Sequence, residues 1–335
     1  MHNKFVLYLC FISIFLGIVG CSDTDAPEES ADVTPQVIFL FSPGGLGDMS
    51  YNDCMLQGVQ NFKKNHPEID VFLYSPPSME VAERIFTDWL KRPGSNIPVV
   101  FTLASSDYEP LMDTYIGEYE LTDNKRILFF ETSRKFEDPQ IYTFQISMYG
   151  ASFLAGVTAA EITGDEKSLV LLGSSSDQPI RAAQDGFIDG LGTNNYDIDY
   201  LADDWTGFVM ANVTYQNMSK WSDLYGFIFP VAGGSNNGIY RYTREFTDSP
   251  FLAGMDIDQS ELSTRIVGSV VKRLDLLIEE YFQEWLMTGD MPESRIYGLE
   301  SGYVDWKLAP LYEETYYSLK EESLPLAIEK ENEYH

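Results

Sequence analysis

Short apolar runs alternate with amphipathic stretches along most of this chain, in two successive series. The first series begins with the apolar run Gln36–Ser42 and the second with Ser168–Gly173. Such runs, separated by segments with helical periodicity, are typical of parallel sheets whose helices cover both faces. The pattern therefore predicts an α/β protein with two similar halves.

The same pattern predicts where the individual elements lie. The strands of the first half are predicted at Gln36–Ser42, Val71–Tyr74, Val99–Leu103, Ile127–Glu131 and Ile141–Ile146, and those of the second at Ser168–Gly173, Ile198–Leu201, Tyr225–Val231 and Phe251–Met255. Ile266–Met287 is predicted to be one long helix, Arg295–Leu299 a strand and the charged tail Tyr312–Glu331 a helix. Gly150–Glu161 is a helix rich in small residues, so its neighbours should approach closely.

The first 20 residues have the features of a signal peptide. Lys4 precedes an apolar run, Phe5–Val19, that is shorter than the ~20 residues of a transmembrane helix. The run ends at Gly20-Cys21, which resembles the lipobox of bacterial lipoproteins. We therefore expect residues 1–20 to be removed and Cys21 to be lipidated. Residues 21–35, with five carboxylates, should form a tether that anchors the body in the cell envelope.

Composition excludes several classes of function. The formal net charge of −30 argues against binding to nucleic acid, which requires clustered Lys and Arg. Beyond the signal segment and Cys21, Cys54 is the one remaining cysteine, so neither a disulfide nor a zinc set of cysteines is expected. The three histidines are His2, His66 and His335, which offer no serine–histidine triad. No metal, cofactor or enzymatic activity is therefore expected, although carboxylate-only catalysis stays open.

Five motifs in order resemble those of one family. They are FSPGGLGDMSYNDCMLQGVQNF at 41–62, SFLAGVTAA at 152–160, VAGGSNNG at 231–238, GMDIDQS at 254–260 and SVVKRLD at 269–275, followed by the glycine pair of GLESG at 298–302. Together they resemble the basic membrane protein family of substrate-binding lipoproteins, which includes the purine nucleoside receptors of ABC importers. The resemblance extends from about Gln36 to Tyr303.

The resemblance implies a type I periplasmic-binding-protein fold, in which two Rossmann-like lobes with parallel sheets are joined by a hinge. We expect residues 36–147 with 257–290 to form the N-terminal lobe, and residues 148–256 with 291–335 the C-terminal lobe. The implied function is capture of a nucleoside, with a purine base, in the cleft between the lobes for delivery to an ABC permease. The protein is expected to be a monomer that contacts the membrane through its lipid anchor alone.

Site residues carry over from the motifs position by position. The predicted ligand-binding residues are Asp48, Tyr51, Asn52, Asp107, Trp205, Gly233, Gly234, Asp256 and Lys272. Tyr51 stands where the family usually has phenylalanine, and because the aromatic face is kept, Tyr51→Phe is expected to bind almost as well. The second stacking aromatic lies in a segment that departs from the family pattern, where Trp205 is preferred and Phe208 is the alternative.

Other interpretations of the same residues remain open. Tyr51 and Trp205 are also compatible with core positions, and Asp48 with an acid at a helix N-terminus. The ligand is alternatively a sugar, a modified base or a signalling molecule on the same fold. A surface lipoprotein with an adhesive or structural role is a third interpretation, because the acidic tether resembles surface-export signals.

Overall fold

The computed structural model describes residues 33–335, and Thr34–His335 forms one compact unit. The predicted signal peptide, the lipidated Cys21 and all but the last three residues of the tether lie outside the described residues. In the part of the chain that is described, no helix is long and apolar enough to span a membrane.

The first sheet has six parallel strands in the order β11-β5-β4-β3-β1-β2. Its strands are β1 (Gln36–Phe41), β2 (Asp70–Tyr74), β3 (Val99–Ala104), β4 (Lys125–Phe130), β5 (Ile141–Ile146) and β11 (Arg295–Tyr297). The helices of this lobe are α1 (Tyr51–Asn65), α2 (Met79–Leu90), α3 (Glu109–Tyr115) and α8 (Leu274–Thr288). All six residues of β3 are buried, as expected for a strand covered on both faces.

The second sheet also has six strands, in the order β12-β10-β9-β8-β6-β7, and only β12 is antiparallel to its neighbour. Its strands are β6 (Ser168–Ser174), β7 (Tyr196–Ala202), β8 (Phe227–Val231), β9 (Phe251–Asp256), β10 (Ile266–Lys272) and β12 (Val304–Leu308). The helices of this lobe are α4 (Tyr149–Thr163), α5 (Pro179–Leu191), α6 (Ala211–Ser222), α7 (Asn236–Glu245) and α9 (Pro310–Tyr334). The predicted architecture of two Rossmann-like lobes is therefore confirmed.

The prediction of one helix over Ile266–Met287 is wrong in its first third. Residues 266–272 form β10, and the helix α8 begins only at Leu274. The segment IVGSVV is rich in β-branched residues, which favour a strand, but a short apolar run does not reveal its own period. A Cβ atom at Gly268 of β10 would lie 2.7 Å from the carbonyl oxygen of Lys307 in β12. The absence of a side chain at Gly268 therefore allows β12 to pack closely against β10.

The assignment of strands to the two sheets also differs from the predicted lobe boundaries. Strand β10 lies in the second sheet, although residues 257–290 were assigned to the first lobe, and β11 lies in the first sheet, although residues 291–335 were assigned to the second. The chain consequently crosses between lobes after β5, after β10 and between β11 and β12. Three short crossings of this kind are the usual construction of a hinge.

The small residues of α4 allow α5 to approach closely, as predicted. A Cβ atom at Gly156 would collide with the backbone of α5, and Cβ atoms at Gly186 and Gly190 would collide with that of α4. The first half of α4 is thereby packed against the second half of α5. Met148, just before α4, and Pro179, the first residue of α5, line the cavity described next.

Candidate functional site

A cavity lies between the two sheets, with about 670 Å³ of empty space when the part open to solvent is included. Residues at the carboxyl ends of parallel strands, or just beyond them, line it from both sides. In the first lobe they include Ser42, Ser105 and Glu131, and in the second Val231, Asp256 and Lys272. The carboxyl ends of parallel strands are where ligands bind in folds of this kind.

Asp48 organises the N-terminal end of α1. Its carboxylate accepts hydrogen bonds from the backbone N–H groups of Ser50 at 2.9 Å, Asn52 at 2.9 Å and Asp53 at 3.2 Å. Asn52 Nδ2 also donates to it at 3.2 Å, and Asn52 Oδ1 accepts from the backbone N–H of Ser42 at 3.1 Å. Burial raises the pKa of Asp48 to about 6, although the backbone hydrogen bonds lower it. Asp48 therefore stabilises the N-terminal end of α1, and it also lines the cavity.

Lys272 lies at the centre of a buried charge cluster. Its Nζ is 2.8 Å from Glu131 Oε1 and 3.3 Å from Asp256 Oδ1. It also lies 4.5 Å from the centre of the Tyr51 ring, within the range of a cation–π interaction. Burial alone would lower the pKa of Lys272, but the charges of Glu131 and Asp256 outweigh this and raise it. The ammonium is therefore held charged inside the protein.

The two carboxylates of this cluster are presented by unusual backbone. Glu131 has φ 57° and Asp256 has φ 67°, in the left-handed region that residues with a Cβ rarely adopt. Ser50 Oγ donates to Asp256 Oδ2 at 2.5 Å. Backbone strain of this sort is common at functional sites, where the surrounding structure holds it in place.

Two further carboxyl groups face each other across the cleft. Ser105 Oγ donates to Asp107 Oδ2 at 2.7 Å, and Ser106 Oγ donates to Asp177 Oδ1 at 3.0 Å. Burial and then the charge of Asp107 raise the pKa of Asp177 to about 7. Burial likewise raises the pKa of Asp107. Because Asp177 follows β6 and Ser106 follows β3, this contact joins the two lobes.

The aromatic residues of the cavity come from opposite lobes. Tyr51, the first residue of α1, lines it from the first lobe, and Phe208 lines it from the second. The structure does not bring Trp205 to the wall, so Phe208, the alternative, takes the position expected of Trp205. Glycines make room for the Phe208 ring: a Cβ atom at Gly173 would collide with it, and one at Gly233 would lie 3.3 Å from its Cδ1.

Gly233 and Gly234 also allow the lobes to meet. Gly233 has φ +51°, which favours glycine, and a Cβ atom at Gly234 would lie 3.3 Å from Asp48 Cβ. Beside this contact, Asn237 Nδ2 donates to the carbonyl oxygen of Asp48 at 3.0 Å. Gln259 Nε2 donates to that of Met49 at 2.8 Å. The lobes are therefore closed over the cavity.

Eight predicted ligand-binding residues lie together on the cavity wall, and ligand contact by each stays a prediction. They are Asp48, Tyr51, Asn52, Asp107, Gly233, Gly234, Asp256 and Lys272. Sequence reasoning missed Glu131 as a site residue and missed Asp177 altogether. Both belong to segments without a recognised motif, but Glu131 directly follows the buried strand β4 and Asp177 lies in the loop after the buried strand β6, and that position was the available signal.

The cavity is strongly acidic. Among the described residues on its wall are five carboxyl groups, from Asp48, Asp107, Glu131, Asp177 and Asp256, whereas Lys272 is the sole basic side chain. Between residues 33 and 335, no group of three or more His, Cys, Asp or Glu side chains is arranged to hold a metal ion. Chemically, the wall offers hydrogen-bond acceptors to ligand donors, with two aromatic rings beside them.

Comparison with known proteins identifies the family. Residues 35–333 match the family model of PnrA-like ABC transporter substrate-binding proteins. Basic membrane protein C of Borreliella burgdorferi is 27% identical over 340 residues, covering 91% of this chain and 88% of that protein. Basic membrane protein D of the same species is 21% identical and covers 83% of this chain and 79% of its own length.

Solved structures share the fold at lower sequence identity. A solute-binding protein of an ABC transporter system from Aeropyrum pernix has a TM-score of 0.69 and 16% identity, covering 89% of this chain and 86% of that one. A carbohydrate transporter solute-binding protein from Agrobacterium radiobacter, in complex with D-arabinose, has a TM-score of 0.57 and 14% identity, covering 80% and 93%. With its family match over nearly the whole described body, this chain belongs to the PnrA-like ABC transporter substrate-binding proteins.

Proposed function

We propose that this protein captures a purine nucleoside in the cavity between its lobes and delivers it to an ABC permease. The observation that carries the proposal is that the cavity wall combines an aromatic part with a charged part. Tyr51 and Phe208 offer aromatic faces from opposite lobes, and a cluster of carboxylates with Lys272 lies beside them. A nucleoside has the matching halves, a flat base and a ribose rich in hydroxyl groups.

The base is proposed to stack on Tyr51 and Phe208. Stacking of a base on an aromatic side chain contributes about 1–3 kcal/mol and tolerates different bases, because every base has a π-face. Lys272 Nζ lies 4.5 Å from the ring centre of Tyr51. The two rings belong to different lobes, so closure of the hinge would bring both to the same ligand.

The ribose is proposed to meet Asp256 and Lys272. Vicinal hydroxyl groups both donate and accept hydrogen bonds, which suits a carboxylate next to an ammonium. Asp256 and Lys272 already lie 3.3 Å apart, and Glu131 pairs with Lys272 from the first lobe at 2.8 Å. The site is therefore preorganised, and the ligand leaves the cavity chemically unchanged.

Calorimetric titration of the purified mature chain tests the ligand class. We expect inosine, guanosine or adenosine to bind with micromolar or tighter affinity, and hypoxanthine, which lacks the ribose, to bind more weakly. Glucose and D-arabinose are the comparison ligands, because a sugar would also suit an acidic cavity with aromatic walls. Tight binding of a sugar without binding of any nucleoside would replace the proposal.

We also propose that Cys21 carries the lipid anchor in the cell envelope. A Cys21→Ala variant should lose its membrane attachment, because alanine has no thiol to carry acyl chains. Fractionation of cells expressing the variant and the parent, followed by detection of the protein, measures this. Equal recovery of both forms in the membrane fraction would contradict the anchor.

A further inference from the structure

The hydroxyl group of Tyr51 is a polar atom enclosed in the site without a partner. It is shut off from solvent and makes no hydrogen bond to any of the residues that the structure describes. The ring itself lies on the cavity wall, packed against the core of the first lobe. A hydroxyl left unsatisfied in this way destabilises a protein, because its hydration is lost and nothing replaces it.

Between residues 33 and 335, the other buried tyrosines do not have this defect. Tyr108 donates to the carbonyl oxygen of Phe41, and Tyr240 donates to Gln259 Oε1 at 2.6 Å. Tyr297 Oη donates to Tyr281 Oη at 3.2 Å. Phenylalanine at position 51 would fill the same space without the unsatisfied group. The hydroxyl therefore needs a partner from outside the described residues.

The surroundings indicate the direction of the missing hydrogen bond. Burial, followed by the charges of Glu131, Asp256, Asp177 and Asp107, raises the pKa of Tyr51 well above its usual range. The phenol thus stays protonated. The nearby carboxylates are acceptors, and the Lys272 ammonium, which is paired with Glu131 and Asp256, is the other donor beside them. Hydrogen-bond donors of a ligand can bind to the carboxylates, whereas a hydrogen-bond acceptor of a ligand can accept from Tyr51 Oη.

We propose that the Tyr51 hydroxyl is a specificity-determining group that donates a hydrogen bond to an acceptor atom of the bound ligand. This deepens the proposed function, on which it rests for the choice of probe. It also revises the sequence-based expectation that Tyr51→Phe binds almost as well as the parent. Stacking survives that substitution, but the donor does not.

The test compares Tyr51→Phe with the parent in two measurements on the mature chain. Inosine affinity, measured by calorimetry, should fall about 3- to 10-fold, the usual cost of one lost hydrogen bond. The melting temperature without ligand should stay equal or rise, because an unsatisfied group has been removed. Unchanged inosine affinity would overturn the proposal, and so would a lower ligand-free melting temperature, which would reveal an internal partner.

A matched control and a second probe complete the design. Tyr281→Phe removes a hydroxyl that has a partner, so its melting temperature should fall while inosine binding stays unchanged. Hypoxanthine locates the acceptor: a Tyr51→Phe penalty retained with this probe assigns it to the base, and a penalty lost assigns it to the ribose. Failure of the parent to bind any nucleoside counts against the proposed function, whereas the ligand-free melting temperatures still test the hydroxyl.

Discussion

At the scale of single residues, the site depends on charges that are buried together. Lys272, Glu131 and Asp256 are each no more than 5% exposed. Bringing charges out of water is costly, and only close pairing offsets that cost. Removing one member of such a group leaves the others uncompensated, which destabilises a protein more than a surface ion pair contributes.

Lys272→Met keeps the side-chain stem and removes the ammonium, so Glu131 and Asp256 would repel each other. We expect the free energy of unfolding to fall by about 3–5 kcal/mol, measured by urea denaturation without ligand. Adding Glu131→Gln to this variant should recover part of the loss. Lys167→Met is the control, because its ion pair with Asp197 is more than a third exposed on both sides and should be worth less than about 1 kcal/mol. Equal losses in Lys272→Met and Lys167→Met would contradict the argument.

Sequence alone identified the site residues that lie in motifs and missed those that depend on geometry. Asp48 and Asp256 were predicted because GDMSYN and GMDIDQ belong to the ordered series of motifs that resembles the family. Glu131 was predicted only as the last residue of a strand, since neither its positive φ nor its contact with Lys272 141 positions away is visible in the sequence. The choice between Trp205 and Phe208 likewise depends on the tertiary structure, because glycines at 173 and 233 leave room for the Phe208 ring.

At the scale of elements, the error over Ile266–Met287 has a similar origin. Buried strands and buried helices are both apolar, and their ends are marked only by local residues. Arg273 separates β10 from α8, and neither glycine nor proline stands there to signal the break. The charged tail was predicted to be helical and is α9, but its docking on the body was not foreseen.

One buried carboxylate of α9, that of Glu331, helps to hold this helix on the body. Glu331 accepts hydrogen bonds from the backbone N–H groups of Gly150 at 3.0 Å and Leu299 at 2.7 Å. Gly150 lies in the first turn of α4, where the N–H groups have no partner within the helix and favour an anion.

Glu331→Gln should therefore lower the free energy of unfolding by about 1–3 kcal/mol in urea denaturation, because one N–H group loses its acceptor and the charge is lost. Glu329→Gln changes an exposed residue of the same helix and should leave stability unchanged. A Glu331→Gln variant as stable as Glu329→Gln would show that this carboxylate contributes nothing to stability.

At the scale of the whole molecule, closure brings acidic groups together. Asp177 from the second lobe accepts a hydrogen bond from Ser106 of the first. It also interacts electrostatically with Asp107, Glu131 and Lys272. Burial and the charge of Asp107 raise the pKa of Asp177 from its ordinary value of 3.8 to about 7. Opening of the lobes would return the group to water and restore the ordinary value.

The closed state consequently binds more protons than the open state between about pH 4 and pH 7, so closure should weaken as the pH rises through this range. We expect the radius of gyration of the ligand-free mature chain, measured by small-angle X-ray scattering, to increase between pH 5 and pH 8. Asp177→Asn keeps a side chain that can accept from Ser106 but cannot ionise, so its radius should stay small at both pH values. Asp203→Asn, an exposed residue that does not line the cavity, should behave as the parent does. A parent chain with the same radius at both pH values, or an Asp177→Asn variant that expands like the parent, would rule out ionisation of Asp177 as the group that opposes closure.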